Sequence, residues 1–106
     1  MKLNIDKRKS EISEATALAV QTKINRLDRF FEDNAEAEVK FTDLRGRTEA
    51  EITVRSGSLV FRAEDRSGDA LTSLDNAIDS IVQQMRKHKS RLEKRLRDGA
   101  FERAVQ

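Results

Sequence analysis

Few side chains in this chain could do chemistry, and they are unevenly placed. His88 is the only histidine and there is no cysteine, so thiolate nucleophiles, thiolate metal sites and disulfides are excluded. Between Lys87 and Lys89 a protonated imidazole is disfavoured. That suits a neutral nucleic-acid contact or a half-buried helix side chain better than a catalytic base or a metal ligand. Asp75 and Asp79 stand one helical turn apart and could bridge Mg²⁺, but no third ligand is in view. Asp75 is therefore expected to brace a turn or a helix terminus. Glu49, Glu51 and Glu64 fall on neighbouring strand-like segments beside Arg47, Arg62 and Arg66, so cross-strand charge pairing is expected there. Gly46, Gly57 and Gly68 belong to separate turns without a Walker or Rossmann context. No catalytic set converges; neither an enzyme nor a cofactor or metal is expected.

The other concentrated chemistry is positive charge. The segment QQMRKHKSRLEKRLRDG, residues 83–99, holds seven Lys or Arg side chains and one Glu. The formal net charge of the whole chain is only +2, but residues 84–97 carry a local +6 and residues 32–51 a local −4. Such polarity orients a docking event even when the totals nearly cancel. Wound as a helix, the segment puts Lys87, Arg91 and Lys94 on the side opposite its apolar stripe, with Arg95 beside Arg91. Arg86 and Arg97 form a flank, and Lys89 lies at the other shoulder of the stripe. Several of these cations repel one another at spacings of three and four. Phosphates would relieve that repulsion. The helix macrodipole also favours cations near a C-terminus, and favours Asp69, Asp75 and Asp79 near the start. Charge pattern alone leaves a polyanion site and a solvated face both open.

Positioning those charges requires a folded frame. At 106 residues the chain is long enough for one modest core. Hydrophobic residues make up 37% and charged residues 38%, with no proline and few glycines, so long uninterrupted elements are easy to build. No apolar run approaches a membrane span, and the N-terminus lacks the pattern of a signal peptide, so a cytoplasmic protein is expected. Residues 2–6 alternate as a strand with Leu3 and Ile5 on one side. Ser13 is a candidate N-cap with Glu14 in the first turn. Val20, Ile24, Leu27 and Phe31 then share a helix face, which predicts an exit at Glu32-Asp33-Asn34. Leu18 is expected to stay exposed and Phe30 to bury at the stripe's edge.

Three alternating segments follow, built on Ala37/Val39/Phe41, Ala50/Ile52/Val54 and Leu59/Phe61/Ala63. Turns at 44–47 and 56–58 predict an antiparallel meander. Asp69 caps a last, long helix with the stripe Leu71, Leu74, Ile78, Ile81, Val82, Met85, Leu92 and Leu96, ending near Gly99. Its last turns are expected to overrun the sheet. The order β-α-β-β-β-α predicts an α+β domain: a four-stranded mixed sheet, first two strands parallel, with two helices packed on one face. The expected organisation is one domain over 1–98 and a flexible tail or linker start over 99–106.

Cations on the first helix and before it extend the basic theme. Lys23 and Arg26 lie one turn apart with Arg29 a turn beyond, Lys7-Arg8-Lys9 precede the helix, and Lys2 begins the chain. Side-by-side helices would join these to the last helix as a continuous basic trough. Such a trough would hold RNA through its backbone, with strong salt dependence. There is no Trp or Tyr, and the Phe residues are assigned to the core, so no aromatic stacking platform is expected.

KINRLDRFF at 23–31, AEITVRSGSLVFRAED at 50–65 and DALTSLDNAIDSIVQQMRKHKSRLEKR at 69–95 together resemble the ribosome hibernation promoting factors and ribosome-associated inhibitors, also called sigma-54 modulation proteins. The resemblance covers nearly the whole chain in the expected order, and the combination is more specific than any piece. Leu71, where the family often has Tyr, and Thr16, where it has a larger apolar residue, depart from the pattern. The resemblance implies a domain that inserts into the messenger- and transfer-RNA channel of the small ribosomal subunit through rRNA contacts. It would silence translation and protect idle ribosomes. RNA-facing residues implied by it are Lys23 and Arg26 on the first helix and Arg86, Lys87, Lys89 and Arg91 on the second. Helix spacing adds Lys94, and Lys2, Lys7, Arg8, Arg29, His88 and Arg95 are secondary candidates.

Long members of the family add a linker and a C-terminal dimerisation domain that pairs ribosomes. The expectation is an isolated, monomeric N-terminal domain of a long member, in contact with the small subunit and possibly with ribosomal proteins. Alternatives are a generic structured-RNA binder, or a protein-interaction module using the polar sheet face or the acidic segment 32–51.

Overall fold

A computed structural model of the chain describes residues 1–96. Arg97, the helix stop at Gly99 and the tail 99–106 lie outside the described residues. The elements are β1 (Lys2–Lys9), α1 (Glu14–Ile24), a 3₁₀ turn (Asn25–Leu27), β2 (Glu36–Leu44), β3 (Arg47–Ser56), β4 (Leu59–Ser67) and α2 (Ala70–Arg95). The strands form one sheet in the order β1-β2-β3-β4, with β1 parallel to β2 and the other neighbours antiparallel. The α+β architecture expected from the sequence is the one observed.

Period-two alternation builds the sheet's packed face. Ala37, Val54 and Phe61 stand in register across β2, β3 and β4, and Val39, Ile52 and Ala63 form the next row. Leu3 and Ile5 continue these rows onto β1 opposite Ala37 and Val39. Both hairpins turn through two residues, at Arg45-Gly46 and Gly57-Ser58. Gly46 and Gly57 have φ of 71° and 60°, a region where only glycine sits without a Cβ penalty.

α2 covers β3 and β4, and α1 lies alongside α2. The interior joins Val20, Ile24 and Leu27 to the inward sheet residues and to Leu74, Ile78, Ile81 and Val82 of α2. Each large aliphatic group fully buried there contributes about 1.5–3 kcal/mol. Ser73 is also fully buried, on the same helix, and its hydroxyl donates to the Thr48 carbonyl at 2.7 Å. A polar group so placed is tolerated because it is bonded.

Caps behave as their residue types dictate. The Ser13 hydroxyl accepts from the Thr16 N–H at 3.1 Å, and the Asp69 carboxylate accepts from the Thr72 N–H at 3.0 Å. Two boundaries differ from expectation. β1 runs on to Lys9 rather than stopping at residue 6, with a register break between Asp6 and Lys9 where Arg8 folds back onto Asp6. α1 ends at Ile24 rather than continuing to Phe31, tightening into the 3₁₀ turn and then turns held by Asp28 N–H to Asn25 O and Phe30 N–H to Leu27 O. Tight turns still place Leu27 and Phe31 in the core, so the helix-like spacing survived a change of local geometry.

Candidate nucleic-acid interface

α2 is long because nothing in it breaks a helix: 26 residues without Gly or Pro, about 39 Å at 1.5 Å per residue. A nine-residue strand such as β4 spans about 30 Å. The core contacts of α2 end near Met85, while Leu92 and Leu96 are 49% and 54% exposed, so the basic end of the helix overhangs the sheet as expected. Arg86, Lys87, Lys89, Arg91, Lys94 and Arg95 are all exposed on this overhang. Among the described residues none of the six has a carboxylate within 4.0 Å. Cations three and four residues apart there repel one another.

The first-helix candidates behave differently. Lys23 Nζ donates to both carboxylate oxygens of Asp75 at 3.0 Å, and Arg26 donates to Asp79 at 2.8 Å. These pairs clamp α1 and the 3₁₀ turn after it to α2. Asp75 therefore braces the helix–helix seam rather than a turn or helix end. The continuous trough expected from the sequence is interrupted here, because two of its cations already face carboxylates. The seam joins two cations three residues apart to two carboxylates four residues apart, each spacing close to one turn.

Secondary candidates also divide. Arg8 is held by Asp6 through two side-chain bonds of 3.0 and 2.8 Å, which drives the Asp6 carboxyl far below the usual carboxylate range and raises the Arg8 guanidinium. Lys7 lies 3.5 Å from Glu14, both well exposed. Lys2 is exposed on β1, beside Glu36, Glu38 and Arg55. His88 is half-buried and stacks edge-on against Phe61, ring centroids 6.0 Å apart. Among the described residues, one of the expected arginine pairs forms on the open sheet face, Arg66 to Glu49 at 2.6 Å. Arg47 and Arg62 instead stand opposite Leu44 and Thr53, and Glu51 faces Glu64 directly.

Arg29 joins the basic overhang, and with it a feature the sequence did not disclose. Its guanidinium carbon lies 5.1 Å from the centroid of the Phe30 ring, and that of Arg86 lies 5.9 Å from it. Phe30 is half-buried and lines a groove of about 840 Å³ between the α1 exit, the β3–β4 turn and α2. The only hint in the sequence was an off-stripe Phe beside an Arg; Arg86 is distant in the chain and only folding brings it there.

Residues 3–93 match the family described as Sigma 54 modulation protein / S30EA ribosomal protein. The chain belongs to this family. It is 31% identical over 102 residues to a ribosome hibernation promotion factor of Lactococcus lactis subsp. cremoris, covering 92% of this chain and 55% of that protein. It is 33% identical over 90 residues to the factor of the same name from Staphylococcus aureus, covering 82% of this chain and 47% of that one. The chain thus spans about half the length of the curated relatives it matches.

Among solved structures, the Thermus thermophilus Protein Y N-terminal domain superposes with a TM-score of 0.73 at 27% identity, covering 83% of this chain and 99% of that one. A ribosomal subunit interface protein from Coxiella burnetii shares the fold, with a TM-score of 0.73 at 17% identity over 85% of this chain and 99% of that one. The Sigma 54 modulation family domain is therefore present over nearly all of the described residues.

Proposed function

We propose that this domain binds the small ribosomal subunit through rRNA, in the channel otherwise used by messenger and transfer RNA, and thereby silences translation and preserves idle ribosomes in the cytoplasm. The observation that carries this reading is the α2 overhang, where six exposed cations have no carboxylate partner among the described residues. A rigid helix bearing unneutralised charge suits folded RNA, which is gripped through phosphates and shape. The hibernation promotion factors among the relatives support the ribosomal partner. The role is one of binding, with no catalytic step and no cofactor.

In this reading Arg86, Lys87, Lys89 and Arg91 carry the contact, extended by Lys94 and Arg95. Lys23 and Arg26 border it while anchored to Asp75 and Asp79. Changing Lys87, Lys89 and Arg91 together to Glu is expected to abolish co-sedimentation with small subunits while circular dichroism stays that of the parent. A folded triple variant that still travels with the subunit overturns the site. Plain RNA duplexes of adequate length serve as the comparison: equal affinity for them would point to a generic RNA binder.

A further inference from the structure

We infer that the groove at Phe30 is a subsite for an unpaired nucleotide, its base lying against the aromatic and apolar floor and its phosphate on the cationic rim. The inference rests on the RNA-binding reading above and adds a contact that phosphate gripping alone does not supply.

The groove's lining includes the apolar Phe30, Met85 and Leu59 and the cations Arg29, Arg86 and Lys89, against a single carboxylate, Glu32. About 840 Å³ lies within the range of small-molecule sites and accommodates a nucleotide. Two guanidinium groups already sit against the Phe30 ring, so the mouth offers an aromatic surface and flat cationic planes side by side. Splayed bases stack on both kinds of surface. None of the three rim cations has a carboxylate within 4.0 Å among the described residues, which leaves the rim complementary to an anion. An occupant must combine a flat apolar body with negative charge. A duplex does not fit, because its bases are stacked away inside; a single-stranded nucleotide does.

The test uses the intact chain with three anionic probes: a single-stranded RNA pentamer, a stable RNA hairpin duplex and a Glu-rich peptide. NMR of the Met85 methyl and Phe30 ring reports the groove, and fluorescence anisotropy reports affinity. The single strand is expected to shift both signals, and the other probes to leave them in place. Phe30→Leu is expected to weaken single-strand binding at least about five-fold with duplex binding unchanged, and Arg86→Gln to weaken it comparably. Circular dichroism confirms that each variant is folded. Single-strand binding indifferent to Phe30→Leu overturns the subsite, as does a peptide that moves the same signals equally. Co-sedimentation with small subunits is scored separately: its loss in the parent chain refutes the ribosomal reading, while the pentamer alone decides the groove.

Discussion

Asp43 is one of two carboxylates among the described residues whose proton affinity is clearly lowered, and two of its partners, Ser10 and Glu11, are remote in the chain. It accepts from the Ser10 hydroxyl at 2.7 Å, the Glu11 N–H at 2.8 Å and the Thr48 hydroxyl at 3.3 Å, tying the β1–α1 connection to the first hairpin. Those bonds favour the carboxylate, the Ser10 bond most, and hold Asp43 below its ordinary value of 3.8. The unfolded chain lacks them, so it binds the proton more readily and stability rises with pH through this window. The contribution is whole above about pH 4 and disappears as pH falls through the folded-state value. Urea midpoints of the parent and Asp43→Asn are therefore expected to differ at pH 6 and to converge at the acid extreme; a constant gap would sink the assignment. Asp6 is lowered as well, chiefly by its side-chain bond to Arg8 only two residues away, a local contact that depends less on the tertiary fold. Its effect on stability is correspondingly smaller.

The two halves of α2 have different jobs. Leu74, Ile78, Ile81 and Val82 are in the core, whereas Leu92 and Leu96 repeat the same stripe over open solvent. Ile78→Ala is expected to cost about 2–5 kcal/mol, and Leu92→Gln or Leu96→Gln less than about 0.5 kcal/mol, read from urea denaturation. Hydrogen exchange should show amides near residues 74–82 protected to the global limit and those beyond residue 88 exchanging by local fraying. Equal protection along the helix would contradict this division. Much of the element pattern was legible from the sequence: the strand alternation, both hairpin turns, the Ser13 and Asp69 caps and the overhang each rest on contacts within a few residues. The exit of α1 was not, because a helix and a 3₁₀ turn followed by tight turns bury the same spaced residues. Ser73 was also invisible as a core residue, since its acceptor lies on another element.

Charge separation governs the molecule as a whole. A net +2 hides a dense cationic overhang, from Arg86 to Arg95 on α2 with Arg29 beside it, and clamped seam pairs. If Arg86, Lys87, Lys89, Arg91, Lys94 and Arg95 all meet phosphates, the slope of log affinity against log salt for small subunits should be about −4. Each cation removed should reduce it by about 0.7, whereas Lys23→Met should leave the slope nearly untouched because Lys23 faces Asp75. Sedimentation across a salt series measures this. A flat salt response, or a full loss of one contact with Lys23→Met, would reject the division of roles.

By itself the sequence determined the order of elements, the faces each turns inward and the identity of the basic run, because all three are written in local periodicity. The tertiary structure decided which of the cations are free. Lys23, Arg26 and Arg86 look alike in the chain, but packing sets the first two against Asp75 and Asp79 and the third against Phe30. Coulomb interactions and aromatic contacts act across space between elements, and no spacing along one strand or helix encodes which neighbour will be there.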